Sequence, residues 1–286
     1  MAFLKEDPPE HGRAAPVVPG VRRIVAANPG RMTYHGTNTY LVDDDDGGGG
    51  ITVIDPGPDD ADHAAAVLAA GEGRIRHILL THSHGDHVGA AAALRAATGA
   101  PTYALGAPQT FTPQTFTPDH RLDDGAAVAG LTALFTPGHA ADHLCFEWRD
   151  GIVFTGDHVM GWASSVVSPP KGDMRAYLAS LRLLLARPHR LYLCGHGPAV
   201  PDPHGHVRSL IAGRLRRERA LGAAVAKAPG DTHALMERLY AKLDPALRRA
   251  AERTVLAHLL KMEADGVVSR DGEVWRWVPN DHPSRA

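Results

Sequence analysis

Three imidazoles and a carboxylate crowd into one short stretch of this chain, His82-Ser83-His84-Gly85-Asp86-His87, and nothing else in the sequence restricts the fold as strongly. The preceding Arg76 to Thr81 reads as a buried strand and Val88 to Thr98 as an Ala-rich helix, so the polar cluster falls at a strand-to-helix junction. So many polar groups at one junction are costly to bury unless they converge on a metal or a hydrogen-bond network. In an extended approach His82 and His84 share one side, while the turn through Gly85 brings Asp86 and His87 round to an adjacent point. One cluster thus begins two neighbouring sites. A polar loop in which Asp86 merely caps the helix is the competing reading, and it leaves the alternation unexplained.

Three more strand ends supply partners: Pro137-Gly138-His139, Gly156-Asp157-His158 and Cys194-Gly195-His196-Gly197. Each glycine permits a tight turn that aims the next side chain into a crevice. We assign a first ion to His82, His84 and His139, and a second to Asp86, His87 and His196, with Asp157 bridging the two. Nitrogen-rich ligation with a carboxylate bridge suits two divalent zinc ions and leaves a shared water or hydroxide as nucleophile. Iron or manganese fits the more oxygen-rich second position as an alternative. Asp86 is expected to hold the nucleophile as well as bind metal, and His158 or a metal-bound water to protonate the leaving group. His143 is expected to orient the site, and Asp55, followed by Pro56-Gly57, to brace a ligand or simply to make a turn.

The remaining sequence bounds the setting. The chain has 286 residues, 44% of them hydrophobic and 22% charged, with a formal net charge of -2, an ordinary globular composition. Cys145 and Cys194 each sit in an apolar run and are expected as buried thiols. The first residues lack the apolar segment of a secretory signal and no run is long enough for a membrane span, so a cytoplasmic protein is expected. The run Asp43 to Asp46 with Gly47 to Gly50 lacks the spaced ligands of an EF-hand and reads as an exposed hairpin loop. Residues 106 to 120 read as a loop or lid in which Phe111 and Phe116 are candidate substrate contacts.

Paired strands with intervening helices favour a layered α/β sandwich over residues 21–203, after a surface segment at 1–20. Residues 204–286 differ in character. Three helices (His204 to Ala228, Thr232 to Lys242, Pro245 to Asp265) precede two short strands around Arg270-Asp271-Gly272, the pattern of a winged-helix-like appendage. Residues 1–200 carry 15 Lys/Arg against 21 Asp/Glu, and the remainder 15 against 11. Arg214, Arg216, Arg217 and Arg219 therefore read either as a solvated helix face or as contacts to phosphate, with Arg214 and Arg217 the named substrate candidates. A pocket wall and a homodimer interface are the other readings of the appendage.

At these residues the chain resembles the metallo-β-lactamase fold superfamily. Its leading motif is matched by Thr81-His82-Ser83-His84-Gly85-Asp86-His87, its later ligands by His139, Asp157 and His196, and its structural Asp by Asp55. The resemblance covers roughly residues 20 to 200 and implies a four-layer αββα sandwich with a dinuclear site. Such centres act on β-lactams, thioesters, lactones and nucleic-acid phosphodiesters, and the bridging Asp157 looks more like the glyoxalase II and nuclease-like branches than true metallo-β-lactamases. A narrower likeness is to the β-lactamase-like protein 2 group, single-strand RNA endonucleases in animals. It rests on Gly36-Thr37-Asn38-Thr39-Tyr40-Leu41-Val42, Thr136-Pro137-Gly138-His139-Ala140-Ala141-Asp142-His143 and the C-terminal arrangement. The expected activity is hydrolysis of a small ester-like substrate (thioester, lactone or related), with cleavage of single-stranded RNA as the alternative.

Overall fold

The computed structural model describes residues 3–44, 48–105 and 117–279. Its first half is a seven-stranded sheet in sequential order. Strands β1 (Ala15–Val18), β2 (Val21–Val25), β3 (Asn38–Asp43) and β4 (Ile51–Ile54) run antiparallel, the β3–β4 connection holding the Asp/Gly run. Helix α1 (Ala61–Gly71) then crosses to β5 (Ile75–Leu79), which pairs parallel with β4. Asp60 starts α1 by accepting from the backbone N–H groups of Asp62 and His63. The metal-ligand cluster follows β5 on a one-turn helix α2 (Gly85–Val88), and α3 (Ala91–Thr98) leads to the parallel edge strands β6 (Thr102–Ala104) and β7 (His120–Arg121).

The second sheet holds β8 (Ala127–Val128), β9 (Leu131–Phe135), β10 (Leu144–Trp148), β11 (Ile152–Gly156) and β12 (Leu191–Cys194), in the order β12-β11-β10-β9-β8. Helix α4 (Met174–Leu185) makes the parallel crossover from β11 to β12. Three apolar layers separate the elements. Tyr40, Ile54, Leu79, Phe146 and Phe154 pack between the sheets. Leu41, Val53, Val67, Ile78 and Leu94 join the first sheet to α1 and α3. Val153, Tyr177, Leu181 and Tyr192 join the second sheet to α4. The result is the αββα sandwich. Strands β8 and β9 form a hairpin, because Ala129 and Gly130 both take positive φ (50° and 84°) and reverse the chain.

The C-terminal part comprises α5 (Pro203–Lys227), α6 (Thr232–Leu239), α7 (Pro245–Ala264) and the hairpin β13 (Val268–Asp271) with β14 (Val274–Trp277). Its core gathers Leu221, Val225, Leu235, Val255, Leu259 and the fully buried Trp275. Helix α5 serves two cores: Val207 and Leu210 pack with α4, whereas Leu221 and Val225 pack with the wing. Residues 3–20 lie on the surface, where β1 extends the first sheet and the backbone N–H of Leu4 donates to the Gly161 carbonyl at 3.0 Å. Both cysteines are free and buried. Among the described residues no helix is long and apolar enough to cross a membrane.

Candidate metal centre

The site forms where strands of both sheets end on the same side. β4 ends at Asp55, which adopts a left-handed backbone (φ 51°), and β5 runs out into Thr81 and His82. β9, β11 and β12 lead to His139, Asp157 and His196. His82, His84, His139 and Asp157 offer ligand atoms within 4.8 Å of one another, and so do Asp86, His87 and His196. These are the two donor sets expected from the sequence, with Asp157 grouped with the first and touching the second. Asp157 Oδ1 lies 3.4 Å from His87 Nε2 and 3.3 Å from His196 Nε2, and its Oδ2 lies 3.6 Å from His139 Nε2.

Hydrogen bonds behind the rings decide which nitrogen faces inward. His87 donates its Nδ1 proton to Asp55 Oδ2 at 2.8 Å, His139 donates Nδ1–H to the Val166 carbonyl at 2.7 Å, and His196 donates Nδ1–H to the Gly36 carbonyl at 3.3 Å. Each leaves an Nε2 lone pair aimed at the cluster. Asp55 is itself fixed, accepting from the Thr81 backbone N–H at 2.8 Å and from Thr81 Oγ1 at 2.7 Å. Asn38 Nδ2 donates to the carbonyls of Cys194 and Gly197, both at 2.9 Å, and so pins the turn that carries His196.

The donor sets fit divalent metal. His84 Nδ1 stands 2.9 Å from His82 Nε2 and 3.1 Å from His139 Nε2. Tetrahedral zinc–nitrogen bonds would separate neighbouring ligand atoms by about 3.3 Å. His87 Nε2 and Asp157 Oδ1 are buried with no hydrogen-bond partner, as expected of atoms reserved for a cation. A Cβ on Gly195 would come within 2.7 Å of Asp157 Oδ1 and 2.8 Å of His87 Cε1, so only glycine leaves this cradle open. Electrostatics agree. Burial, with the neighbouring His87 ring next, holds His82 well below the ordinary histidine range; burial and then His139 bring His84 down to about 4, so these rings are neutral donors. Burial also works against charge on His196, but Asp157 and Asp86 outweigh it and raise that ring to about 9, the mark of a negative field that favours a cation.

The ligands open into a cleft of about 290 Å³. Met32, Met160, Val166 and Pro170 give it an apolar wall, and Lys171 and Arg253 place two cations at its rim. Met32, Met160, Val166, Pro170 and Lys171 were not singled out as site residues from the sequence, because they are scattered over segments with no local pattern.

Several expected site residues lie elsewhere. His158 does not reach the cleft: it is fully buried, its ring centre 4.7 Å from that of Tyr177 in a tilted contact, and burial brings its pKa down to about 3. A neutral ring without access cannot protonate a leaving group. His143 is also fully buried, its Nδ1 paired with Thr136 Oγ1 at 2.9 Å and its ring 5.2 Å from His82, which matches a supporting role. Arg214 is neither solvated nor free for substrate, being 2% exposed, donating to the Ser165 carbonyl and lying 5.2 Å above the Tyr177 ring. Arg217 is half-buried over the Tyr240 ring at 5.5 Å. Phe111 and Phe116 lie outside the described residues.

Comparison with known proteins agrees with this geometry. Residues 232–277 match the beta-lactamase associated winged helix domain. The chain is 31% identical to an atrochrysone carboxyl ACP thioesterase of Aspergillus novofumigatus (strain IBT 16806), over 89% of this chain and 82% of that protein. Its fold is that of a beta-lactamase domain protein from Burkholderia ambifaria, with a TM-score of 0.80 at 23% identity, covering 94% of this chain and 95% of that one. A shorter protein solved in a di-iron-bound form, TTHA1623, is 30% identical with a TM-score of 0.51, covering 63% of this chain and 93% of that one. Residues 32–196, more than half of the sequence and the whole of the ligand set, match the metallo-beta-lactamase superfamily, and the chain belongs to that family of hydrolases.

Proposed function

We propose that this hydrolase cleaves acyl thioesters at a centre of two divalent metal ions, zinc being the first candidate, releasing a carboxylate and a thiol. The observation that carries the reading is the cleft itself: two adjacent donor sets at its floor, an apolar wall and a cationic rim. The kinship with a carrier-protein thioesterase supports the same class. When bound, the ions supply Lewis-acid polarisation of the acyl carbonyl and acidify water. The chain's own residues do the rest. Asp55, Val166 and Gly36 hold protons on the outer nitrogens of His87, His139 and His196, which keeps the inner nitrogens as ligands. Asp86, 3.3 Å from His196 Nε2 and facing the cleft, is placed to accept a proton from the attacking water. Met32, Met160 and Val166 hold the acyl chain and exclude bulk water, while Lys171 faces a carboxylate or phosphate on the substrate.

The RNA reading loses its named contacts, since Arg214 and Arg217 are occupied within the protein. The test is thiol release from a panel of acyl thioesters on coenzyme A and on N-acetylcysteamine, with the protein loaded with zinc, manganese or iron. Release by wild type and its loss in His84→Ala are expected. No release across the panel, together with cleavage of labelled single-stranded RNA, would replace the thioesterase reading with the nuclease one.

A further inference from the structure

Two arginines of the C-terminal part converge on one segment of the catalytic sandwich. From α5, Arg214 donates through Nη2 to the Ser165 carbonyl. From α7, Arg253 donates through Nε to Ser168 Oγ and through Nη2 to the Pro169 carbonyl at 2.7 Å. Between these fixed points stands Val166, whose carbonyl accepts the Nδ1 proton of His139 at 2.7 Å. Ser165 Oγ ties the same segment to the backbone beside the bridging ligand, donating to the His158 carbonyl at 3.0 Å.

We propose that the winged-helix part is a positioning element of the metal centre: Arg214 and Arg253 clamp residues 165–169 so that the Val166 carbonyl sets the orientation and tautomer of His139. The segment lacks regular secondary structure, so no ladder of backbone hydrogen bonds holds it in place. Arg214 is buried and makes its contact with a carbonyl rather than a carboxylate. Arg guanidinium groups suit such a task because several fixed donors can grip separate acceptors at once. A second helix end joins the same face, where Arg175 at the start of α4 pairs with Asp265 at the end of α7. The docking of α7 is thereby fixed at its C-terminal end as well as at Arg253. Arg214 and Arg253 are positioning residues in this account, acting on the metal through Val166 and His139.

The inference rests on the metal-centre reading and is tested without substrate. Zinc binding by the full chain is measured by competition with a chromophoric chelator, and the cobalt-substituted protein is followed by its visible absorption. Partners behind ligand histidines commonly govern metal affinity by 10- to 100-fold. Arg253→Met and Ser168→Ala, which leaves both arginines in place, are expected to lower affinity at the site containing His139 by about tenfold or more. The cobalt absorption of that site should shift, and affinity at the site of His87 and His196 should stay within about twofold. Arg214→Met should do the same, and Arg216→Met, an exposed change on the same helix, should do nothing. Wild-type affinity at both sites in folded Arg253→Met and Ser168→Ala would overturn the clamp, and so would an equal loss at both sites with a lowered unfolding temperature. If wild type itself fails to take up two ions, the metal-centre reading falls and the clamp with it.

Discussion

Asp55 Oδ2 and His87 Nδ1 meet at 2.8 Å with both side chains buried, so a carboxylate at the end of β4 fixes which nitrogen of a ligand on α2 faces inward. Asn at this position would put an amide N–H against Nδ1 or forfeit the bond to Thr81. Asp55→Asn is therefore expected to weaken metal binding at the His87 site by 10- to 100-fold, with about 1–3 kcal/mol lost from unfolding free energy. Chelator competition and denaturant titration measure the two effects, and unchanged affinity would show that Asp55 only shapes the turn.

Asp157 touches both donor sets, so it should govern the number of ions held. Elemental analysis of purified wild type is expected to give about two divalent ions per chain, and of Asp157→Asn about one or fewer. Thiol release should fall by at least about a hundredfold in the variant. Full metal content in Asp157→Asn would remove the bridge from the account.

Gly195 offers a test by bulk alone. Its added Cβ would press on Asp157 Oδ1 and His87 Cε1 at 2.7 and 2.8 Å, inside the space where ligand atoms converge. Gly195→Ala should cost metal affinity by about tenfold or more while altering no ligand. Normal uptake in this variant would mean that the cradle gives way freely.

Lys171 at the rim should act on binding rather than on chemistry. Lys171→Met is expected to raise KM by roughly 5- to 20-fold for a thioester bearing a remote carboxylate or phosphate, with kcat little changed. A neutral thioester should show no such rise. Equal effects on charged and neutral substrates would assign Lys171 a role in packing instead.

Glu218 joins α5 to α7 by accepting from Lys261 at 2.7 Å, beside His258 Nδ1 at 3.4 Å. Burial raises its pKa, but the hydrogen bonds from His258 and Lys261 outweigh that and leave it below the usual carboxylate value. A depressed folded pKa gives stability that is present above the unfolded pKa and is lost as pH falls through the folded one. The stability gap between wild type and Glu218→Gln should thus be on the order of 1 kcal/mol near neutral pH and close as the medium is acidified to below the ordinary carboxylate range. A gap independent of pH would mean that the charge on Glu218 contributes nothing.

The ligand set was legible because His82, His84, Asp86 and His87 crowd one strand-to-helix junction and His139, Asp157 and His196 each follow a glycine beyond a strand, local signals that short-range pattern carries, and all of them reach the centre. His158 shows where that signal stops, since adjacency to Asp157 says nothing about which side of the sheet a ring packs on. Arg214 was misjudged for another reason. It occupies the same helical stripe as Val207, Leu210, Leu221 and Val225, and its burial could have been read from that register had charge not been equated with exposure. Lys171 and Val166 had no local signature at all, because their roles depend on how distant segments meet.

Helix α5 gives its first half to the sandwich and its second half to the wing core. A chain cut anywhere along it would strip one body of an apolar face and leave the other with an unpacked overhang. The two parts are therefore not detachable modules. Heat or denaturant should melt them in one transition, and a substitution deep in the wing, such as Trp275→Ala, would be felt at the metal as a loss of the whole fold rather than of an accessory.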